Sequence, residues 1–202
     1  MAWRGKPNRV VARRMGHKSN KLLAERVASL PVPAKTWPKW VISGGGAGFL
    51  RPAPGSWGTA VPAGLFFWAL AEKGEMEGIW LALLGFGLVA SILLIIYGKW
   101  AAAYFREPDP GTCVLDEYAG FAVTVAWVPL PIWCADHGVW GVFLFTAGLY
   151  IVFRLTDTMK IWLANWLERL PWGWGILCDD LAAGVQANLV AQCVVRMWMM
   201  HR

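Results

Sequence analysis

The sequence predicts an all-α membrane protein, a compact bundle of about four to five membrane-associated helices behind a basic N-terminal arm. Hydrophobic residues make up 57% of the 202 residues and charged residues only 16%, against about 45–50% and about 25% in soluble domains. The chain has 15 Trp, a residue that is enriched where membranes meet water. Uncharged apolar stretches also recur along the chain, and the longest of them is long enough to cross a bilayer.

Residues 1–40 form the basic arm, and residues 41–202 form the predicted helical membrane domain. Ten of the 19 Lys and Arg residues precede Val41, with Glu25 as the one acid among them. A basic segment before the first membrane segment marks the cytoplasmic side and attracts anionic lipid. The apolar remainder of the chain favours lipid over nucleic acid as its partner. Within the arm, residues 10–30 predict an amphipathic helix.

A Gly/Pro-rich loop is expected over residues 43–59, before the apolar stretches begin. Those stretches are Ala60–Ala71, Gly78–Gly98, Tyr118–Ala135, Gly138–Phe153 and Leu181–Val195. A span needs about 20 residues, so only the second is unambiguous by itself. We expect four spans, with the last stretch, which contains Gln186 and Asn188, as a possible fifth.

Three polar segments fall on the cytoplasmic face when the spans are counted from a cytoplasmic N-terminus. They are the Gly/Pro loop, residues 99–117 and residues 154–180. The second ends within "VLDEYAG", and the third extends from "FRLTDTMK" into "GWGILCDDLAAG". The acids of these motifs are Asp116, Glu117, Asp157, Asp179 and Asp180, and the bases are Arg154 and Lys160. The topology therefore predicts that these side chains converge on one pocket.

Such a pocket suits the chemistry of phosphate. Carboxylate oxygens are ligands for Mg²⁺, Mn²⁺ or Ca²⁺, and Mg²⁺ keeps positions open for water and phosphate. Lys and Arg neutralise phosphate oxygens. The Gly/Pro loop lacks a Walker G-K-[ST] sequence, yet Arg51, Ser56 and Thr59 are candidates for contacting a phosphate there.

Each group also has a simpler explanation. Asp179 or Asp180 can cap a helix N-terminus, and Asp157 can form a plain surface ion pair with Arg154 or Lys160. The pair Asp116 and Glu117 can be a solvated helix start.

For the whole chain, the alternatives to an enzyme are a membrane ion transporter or channel and a structural scaffold, because acids near membrane segments also mark ion paths. The absence of an inverted repeat and the clustering of the acids at one face favour an enzyme.

The blocks "PAPGSWGT", "LDEYAG", "FRLTDTMK" and "GWGILCDDLAAG", in this order and with apolar segments between them, resemble the phosphatidylglycerophosphatase A family. The resemblance implies a Mg²⁺-dependent phosphatase of the bacterial inner membrane, multi-pass, with its active site on the cytoplasmic face. Its substrate would be phosphatidylglycerophosphate, and its product phosphatidylglycerol. The family's acids correspond to Asp116, Glu117, Asp157, Asp179 and Asp180, and its basic residue to Lys160.

The chain departs from the family pattern at two positions. Ile161 stands where a Pro usually follows the motif lysine, and Trp172 stands in place of the first Gly of a Gly-Gly pair. Because Ile keeps the N–H that Pro lacks, we expect the helix to continue past Lys160.

On this reading Asp179 and Asp180 are the first-choice metal ligands, followed by Asp157 and Asp116. Glu117 is a ligand or a base that activates water. Lys160 and Arg154 would bind the phosphate, with Arg51, Ser56 and Thr59 as further candidates. Water or an aspartate can be the nucleophile, and the oligomeric state is not indicated.

Overall fold

The computed structural model describes residues 17–72, 75–159 and 173–201, and within these ranges the chain is helical without strands. The helices are α1 (His17–Ser29), α2 (Pro38–Ile42), α3 (Pro54–Ala71), α4 (Met76–Phe105), α5 (Leu115–Val125), α6 (Ile132–Asp136), α7 (Gly138–Met159) and α8 (Gly173–Met200), with a 3₁₀ turn at Ala47–Phe49. The prediction of an all-α helical bundle is confirmed.

Helix α5 lies at the centre of the bundle, where ten of its 11 residues are buried. Helices α3, α4, α7 and α8 pack around it. On one side Phe121 of α5 meets Phe66 of α3 and Phe153 of α7, and all three rings are fully buried. This apolar packing fixes the position of α5, whose first turn carries two of the predicted site residues.

The outer faces of the bundle are apolar. Leu81 on α4, Leu144 on α7 and Leu189 on α8 are all exposed, while small residues such as Gly87 and Ala90 face the inside. Small residues at helix contacts and large apolar residues outside are typical of proteins that sit in lipid. By length and composition, α4 and α7 are each able to cross a membrane.

One predicted boundary is wrong, and one stretch predicted as a borderline span is interrupted. The Gly/Pro loop does not extend to Thr59, because α3 already begins at Pro54; Pro suits the first helical position, where its missing N–H is not needed. The stretch Tyr118–Ala135 is not one continuous helix but is broken between α5 and α6. Trp127 has a left-handed φ of 56° there, and the prolines that follow cannot continue a helix.

The described part of the predicted basic arm packs on the end of α4. The Arg106 guanidinium donates hydrogen bonds to the carbonyls of Val27, Ala28 and Leu30 at the C-terminus of α1, with the shortest at 2.7 Å. The Trp100 indole donates to the Lys35 carbonyl at 3.1 Å. Helix α1 lies within the segment predicted to be an amphipathic helix, of which residues 10–16 lie outside the described ranges.

Candidate functional site

Asp116 and Glu117 form the base of the site. They lie in the first turn of α5, where the helix dipole favours negative charge. Asp116 is only 7% exposed and Glu117 only 9%. The interpretation of this pair as a solvated helix start is therefore wrong, because both side chains face the interior of the bundle.

Arg154 on α7 joins three helices at this point. Its Nη1 atom lies 3.0 Å from Oδ2 of Asp157 and 3.6 Å from Oε1 of Glu117. The same nitrogen donates to the Thr59 hydroxyl at 3.3 Å, and Thr59 in turn donates to the Gly55 carbonyl at 3.0 Å. Because Thr59 is fully buried and Arg154 is held from three sides, this is not a plain surface ion pair.

Asp179 and Asp180 lie well inside α8, which begins at Gly173. Neither residue therefore caps that helix, and the capping interpretation is wrong. Asp180 is 6% exposed, and its charge interacts with Asp116 of α5.

The approach of α8 to α5 depends on Gly120 and Gly184. A Cβ atom on Gly120 would lie 2.8 Å from the Asp180 carbonyl oxygen, and one on Gly184 would overlap the Gly120 backbone.

Burial of these like charges raises their pKa values, and all three acids lie outside α4 and α7. Desolvation, followed by the charge of Asp109, raises the pKa of Asp116 to about 8. Desolvation and Asp116 raise the pKa of Glu117 to about 9, although Arg154 acts in the opposite direction. Desolvation, together with the surrounding carboxylates, raises the pKa of Asp180 well above its usual range. A bound cation would offset this accumulated negative charge.

Two carboxylate oxygens of the site are buried without a hydrogen-bond partner, namely Oδ1 of Asp116 and Oε2 of Glu117. Buried polar atoms in folded proteins nearly always have a partner, so such oxygens need an explanation. Gly55 and Gly58 of α3 leave the space in which the Glu117 carboxylate lies, since a Cβ on either glycine would overlap it. The chemistry of these oxygens fits a metal such as Mg²⁺.

Among residues 17–72, 75–159 and 173–201, no three His, Cys, Asp or Glu side chains form a group able to hold a metal ion. Mg²⁺ in proteins is commonly held by one or two carboxylates, with water or phosphate in its other positions. The predicted roles of Asp157 and Asp179, which are both half-buried, as ligands stay predictions.

The remaining residues predicted to contact phosphate lie just before α3, in its first turn, or outside the described residues. Arg51 is exposed on the loop before α3. Ser56 is half-buried, and its backbone carbonyl accepts a hydrogen bond from the Tyr150 hydroxyl at 3.1 Å. Lys160, together with the two departures at Ile161 and Trp172, lies outside the described residues.

Sequence reasoning missed Asp109, whose charge acts on both Asp116 and Glu117. It stands in "EPDPGT", a few residues before the D-E pair and in the same predicted cytoplasmic segment. That shared segment was the signal that could have found it. The close approach of Gly55 and Gly58 was also missed, because spacing alone does not reveal which helix faces a glycine.

Comparison with known proteins shows the family of the chain. The family model described as phosphatidylglycerophosphatase A matches residues 40–195. The chain belongs to this family. Two phosphatidylglycerophosphatase A proteins are similar to it, one from Haemophilus influenzae (29% identical, covering 78% of this chain and 87% of the relative) and one from Escherichia coli (32% identical, covering 38% and 40%).

A third relative, from Bacteroides thetaiotaomicron, carries the name "Putative phosphatidylinositol-3-phosphatase"; it is 28% identical over 76% of this chain and 90% of its own length. No solved structure matches the chain significantly. The phosphatidylglycerophosphatase A match includes all four sequence blocks and leaves out most of the basic arm. The predicted family membership is confirmed.

Proposed function

We propose that this protein hydrolyses the terminal phosphomonoester of phosphatidylglycerophosphate, giving phosphatidylglycerol and inorganic phosphate. The observation that carries the proposal is the convergence of buried carboxylates from α5 and α8 beside Arg154. Uncompensated buried like charges destabilise a fold, so an arrangement of this kind indicates a ligand. The family supplies the substrate class, since the relatives from H. influenzae and E. coli are named phosphatidylglycerophosphatase A.

We propose Mg²⁺ as the cofactor, held directly by one or two of Asp116, Glu117 and Asp180, with water or phosphate in its other positions. The unpartnered oxygens of Asp116 and Glu117 support this assignment. When bound, such an ion supplies charge stabilisation for phosphoryl transfer and acidifies bound water.

The phosphate would be bound on the side of the pocket formed by α3 and α7. Arg154 offers guanidinium N–H groups beyond those used by Asp157, Glu117 and Thr59, and guanidinium groups bind phosphate well. The N–H groups of Gly55 and Ser56 lie in the first turn of α3, where no carbonyl of the same helix accepts them. Lys160, Arg51 and the Ser56 hydroxyl remain proposed further contacts.

The reaction is the attack of water on phosphorus, with cleavage of the ester P–O bond and transfer of a proton to the leaving alcohol. A carboxylate of the pocket would accept the proton of the attacking water. An aspartate nucleophile is the alternative, in which water hydrolyses a phospho-aspartyl intermediate. A substrate with a chiral phosphate separates the two, since direct attack inverts the configuration and the two-step route retains it.

We propose that the protein is a multi-pass protein of the bacterial inner membrane, with the pocket on the cytoplasmic face. Helices α4 and α7 are both able to span. On α7, Trp140 and Asp157 are separated by about 25 Å at 1.5 Å per residue, close to the thickness of a bilayer's hydrocarbon core. This separation would place Trp140 at one interface and the acids at the other, where a lipid headgroup can reach them. The basic arm would then meet anionic lipid on the same face.

An impermeant maleimide reagent tests this topology in a variant without native cysteines. Thr158→Cys lies at the pocket end of α7 and His137→Cys just before its other end. In intact cells we expect labelling of the second variant only. Labelling of Thr158→Cys in intact cells would contradict the cytoplasmic pocket.

The activity test uses purified protein with phosphatidylglycerophosphate, in Mg²⁺ and in EDTA, beside phosphatidylinositol 3-phosphate and a soluble phosphomonoester. We expect phosphate release from phosphatidylglycerophosphate only with Mg²⁺. Asp157→Asn and Asp179→Asn should each remove most activity, whereas the control Asp136→Asn, at the opposite end of the bundle, should be unaffected.

Release that EDTA does not change would contradict the metal assignment, and near-normal turnover in both site variants would contradict the site. The transporter alternative predicts ion flux in liposomes without phosphatase activity, and the family match does not favour it.

A further inference from the structure

Helix α5 is short, and its C-terminal end is buried in the bundle. It is only 11 residues long, and Thr124, Val125, Ala126 and Val128 around its C-terminus are all buried. The last carbonyls of any helix lack a donor within that helix, and a buried carbonyl without a partner is costly.

The Asn188 side chain supplies the missing donor from the neighbouring helix. Its Nδ2 atom lies 2.6 Å from the carbonyl oxygen of Ala126, 2.9 Å from that of Thr124 and 3.1 Å from that of Val123. The two N–H bonds of one amide group of α8 are thus shared among three carbonyls at the end of α5, of which that of Val123 also accepts from the Ala126 N–H.

A second pair of contacts fixes the orientation of this amide. Oδ1 of Asn188 accepts a hydrogen bond from Nε2 of Gln192 at 2.9 Å. Oε1 of Gln192 accepts in turn from the Arg196 guanidinium at 3.0 Å. Because the oxygen of Asn188 is engaged by Gln192, the NH₂ group must face α5.

Trp127, next to this end, adopts a left-handed φ of 56°. Such a conformation costs a bulky residue of the order of 1–3 kcal/mol and persists only where surrounding contacts enforce it.

The same stretch of α8 carries the acid of the site. Asp180, Gly184 and Asn188 follow one another at intervals of four residues and therefore lie along neighbouring turns. Gly184 contacts Gly120 in the middle of α5, and Asp180 interacts with Asp116 at its start. The two helices run side by side in the same direction, so a contact at Asn188 sets the axial position of the whole of α5.

We propose that Asn188 is a positioning residue for catalysis, one that caps α5 and so fixes Asp116 and Glu117 in register with Asp180. This inference rests on the proposed phosphatase function. Since a displacement of about 1 Å in a catalytic group can cost about 10²-fold in rate, a small shift of α5 is enough to matter.

The test compares Asn188→Ala and Asn188→Asp with the control Leu189→Ala, whose side chain is exposed on the same helix. Asp has nearly the same shape as Asn but offers oxygen where the carbonyls need a donor. We expect both Asn188 variants to lower kcat at least about ten-fold per folded molecule, with KM little changed and with more Mg²⁺ required for half-maximal activity. The Leu189 variant should resemble the wild-type protein in all three quantities.

Gln192→Leu provides a milder variant in case the Asn188 variants fold poorly. It removes the group that orients the amide but leaves the amide in place, so we expect a smaller fall in kcat than in the Asn188 variants.

Hydrogen exchange, measured without substrate or metal, gives a readout that does not depend on activity. The amides at the end of α5 should exchange faster in the Asn188 variants. A kcat equal to that of the wild-type protein, or a fall in kcat without faster exchange in α5, would overturn the proposal. A wild-type protein without phosphatase activity would contradict the proposed function, and the exchange data would still decide whether Asn188 holds α5.

Discussion

Replacement of Gly58 by Ala tests whether contact between α3 and α5 sets the position of the Glu117 carboxylate. A Cβ atom at Gly58 would lie 2.5 Å from Cβ of Val114 and 2.9 Å from its Cγ1, and it would overlap Oε2 of Glu117. Carbon atoms in contact are normally about 3.5–4.0 Å apart, so α3 and α5 must separate by roughly 1 Å. The carboxylate would be pushed from its place by a similar distance.

The effect should be large on activity and small on stability. A misplacement of about 1 Å can cost about 10²-fold in rate, which is the fall in kcat that we expect. Overpacking costs about 1–3 kcal/mol, whereas Ala is better than Gly inside a helix by about 1 kcal/mol. The free energy of unfolding should therefore fall by only about 0–2 kcal/mol, and the variant should fold.

Gly64→Ala is the matched control, because it lies in the same helix and no atom comes within 4 Å of its added Cβ. The assay is kcat with saturating lipid substrate and Mg²⁺, beside thermal unfolding of each variant. Gly64→Ala should keep wild-type activity and be slightly more stable. A folded Gly58→Ala protein with a kcat within about three-fold of wild type would refute the reasoning, since a shift of this size should cost far more.

Three further predictions concern the charges of the site. Asp180→Asn should abolish activity yet raise the melting temperature in EDTA, because it removes one of several buried like charges; a lower melting temperature would contradict this. In EDTA, the stability of the protein should fall as the pH rises from about 5 towards 9. The folded-state pKa values of about 8 for Asp116 and about 9 for Glu117 favour the protonated carboxyl groups, so folding opposes their ionisation. A melting temperature that does not change with pH in EDTA would contradict this prediction. Arg154→Lys should lower kcat/KM at least about ten-fold, since Lys lacks the planar guanidinium group that binds phosphate through two N–H groups. The control Arg26→Lys, at an exposed position, should have no effect. Equal kcat/KM values in the two variants would exclude this role of Arg154.

The sequence was sufficient to predict that the acids lie close together. Counting the spans assigns each polar segment to one face of the membrane, and this assignment does not depend on detailed geometry. Asp116, Glu117 and Asp180 come from parts of the chain more than 60 residues apart, and they interact in the structure as the predicted topology requires. Helix class and approximate positions were also predictable, since long apolar stretches leave few other structures in a membrane.

Packing and helix ends were not predictable in the same way. Thr59 illustrates this: its hydroxyl accepts a hydrogen bond from Arg154 and donates one to the Gly55 carbonyl, contacts that the sequence did not indicate. Its predicted contact with phosphate stays a prediction. A hydroxyl at the start of a helix can bond its own backbone, a neighbouring side chain or a ligand, and only the tertiary structure decides among these. The same applies to Gly58, where Val114 and Glu117 at the start of α5 leave no room for a side chain.

The break between α5 and α6 can be related to the lengths of α5 and α7. Helix α7 starts at Gly138, and Arg154 near its other end contacts Glu117 at the start of α5. The segment from Leu115 to Asp136 must therefore run along α7, over about 24 Å from Gly138 to Arg154 at 1.5 Å per residue. Helix α5 provides only about 16 Å of this, and residues 126–131 provide the rest in a non-helical conformation. Non-helical backbone at membrane depth is tolerated only where the protein satisfies its polar groups, and in the proposed topology Asn188 does so for the Ala126 carbonyl. In the proposed multi-pass topology, Asn188, one of the two polar residues that made Leu181–Val195 a doubtful span, would thus help the neighbouring segment to cross.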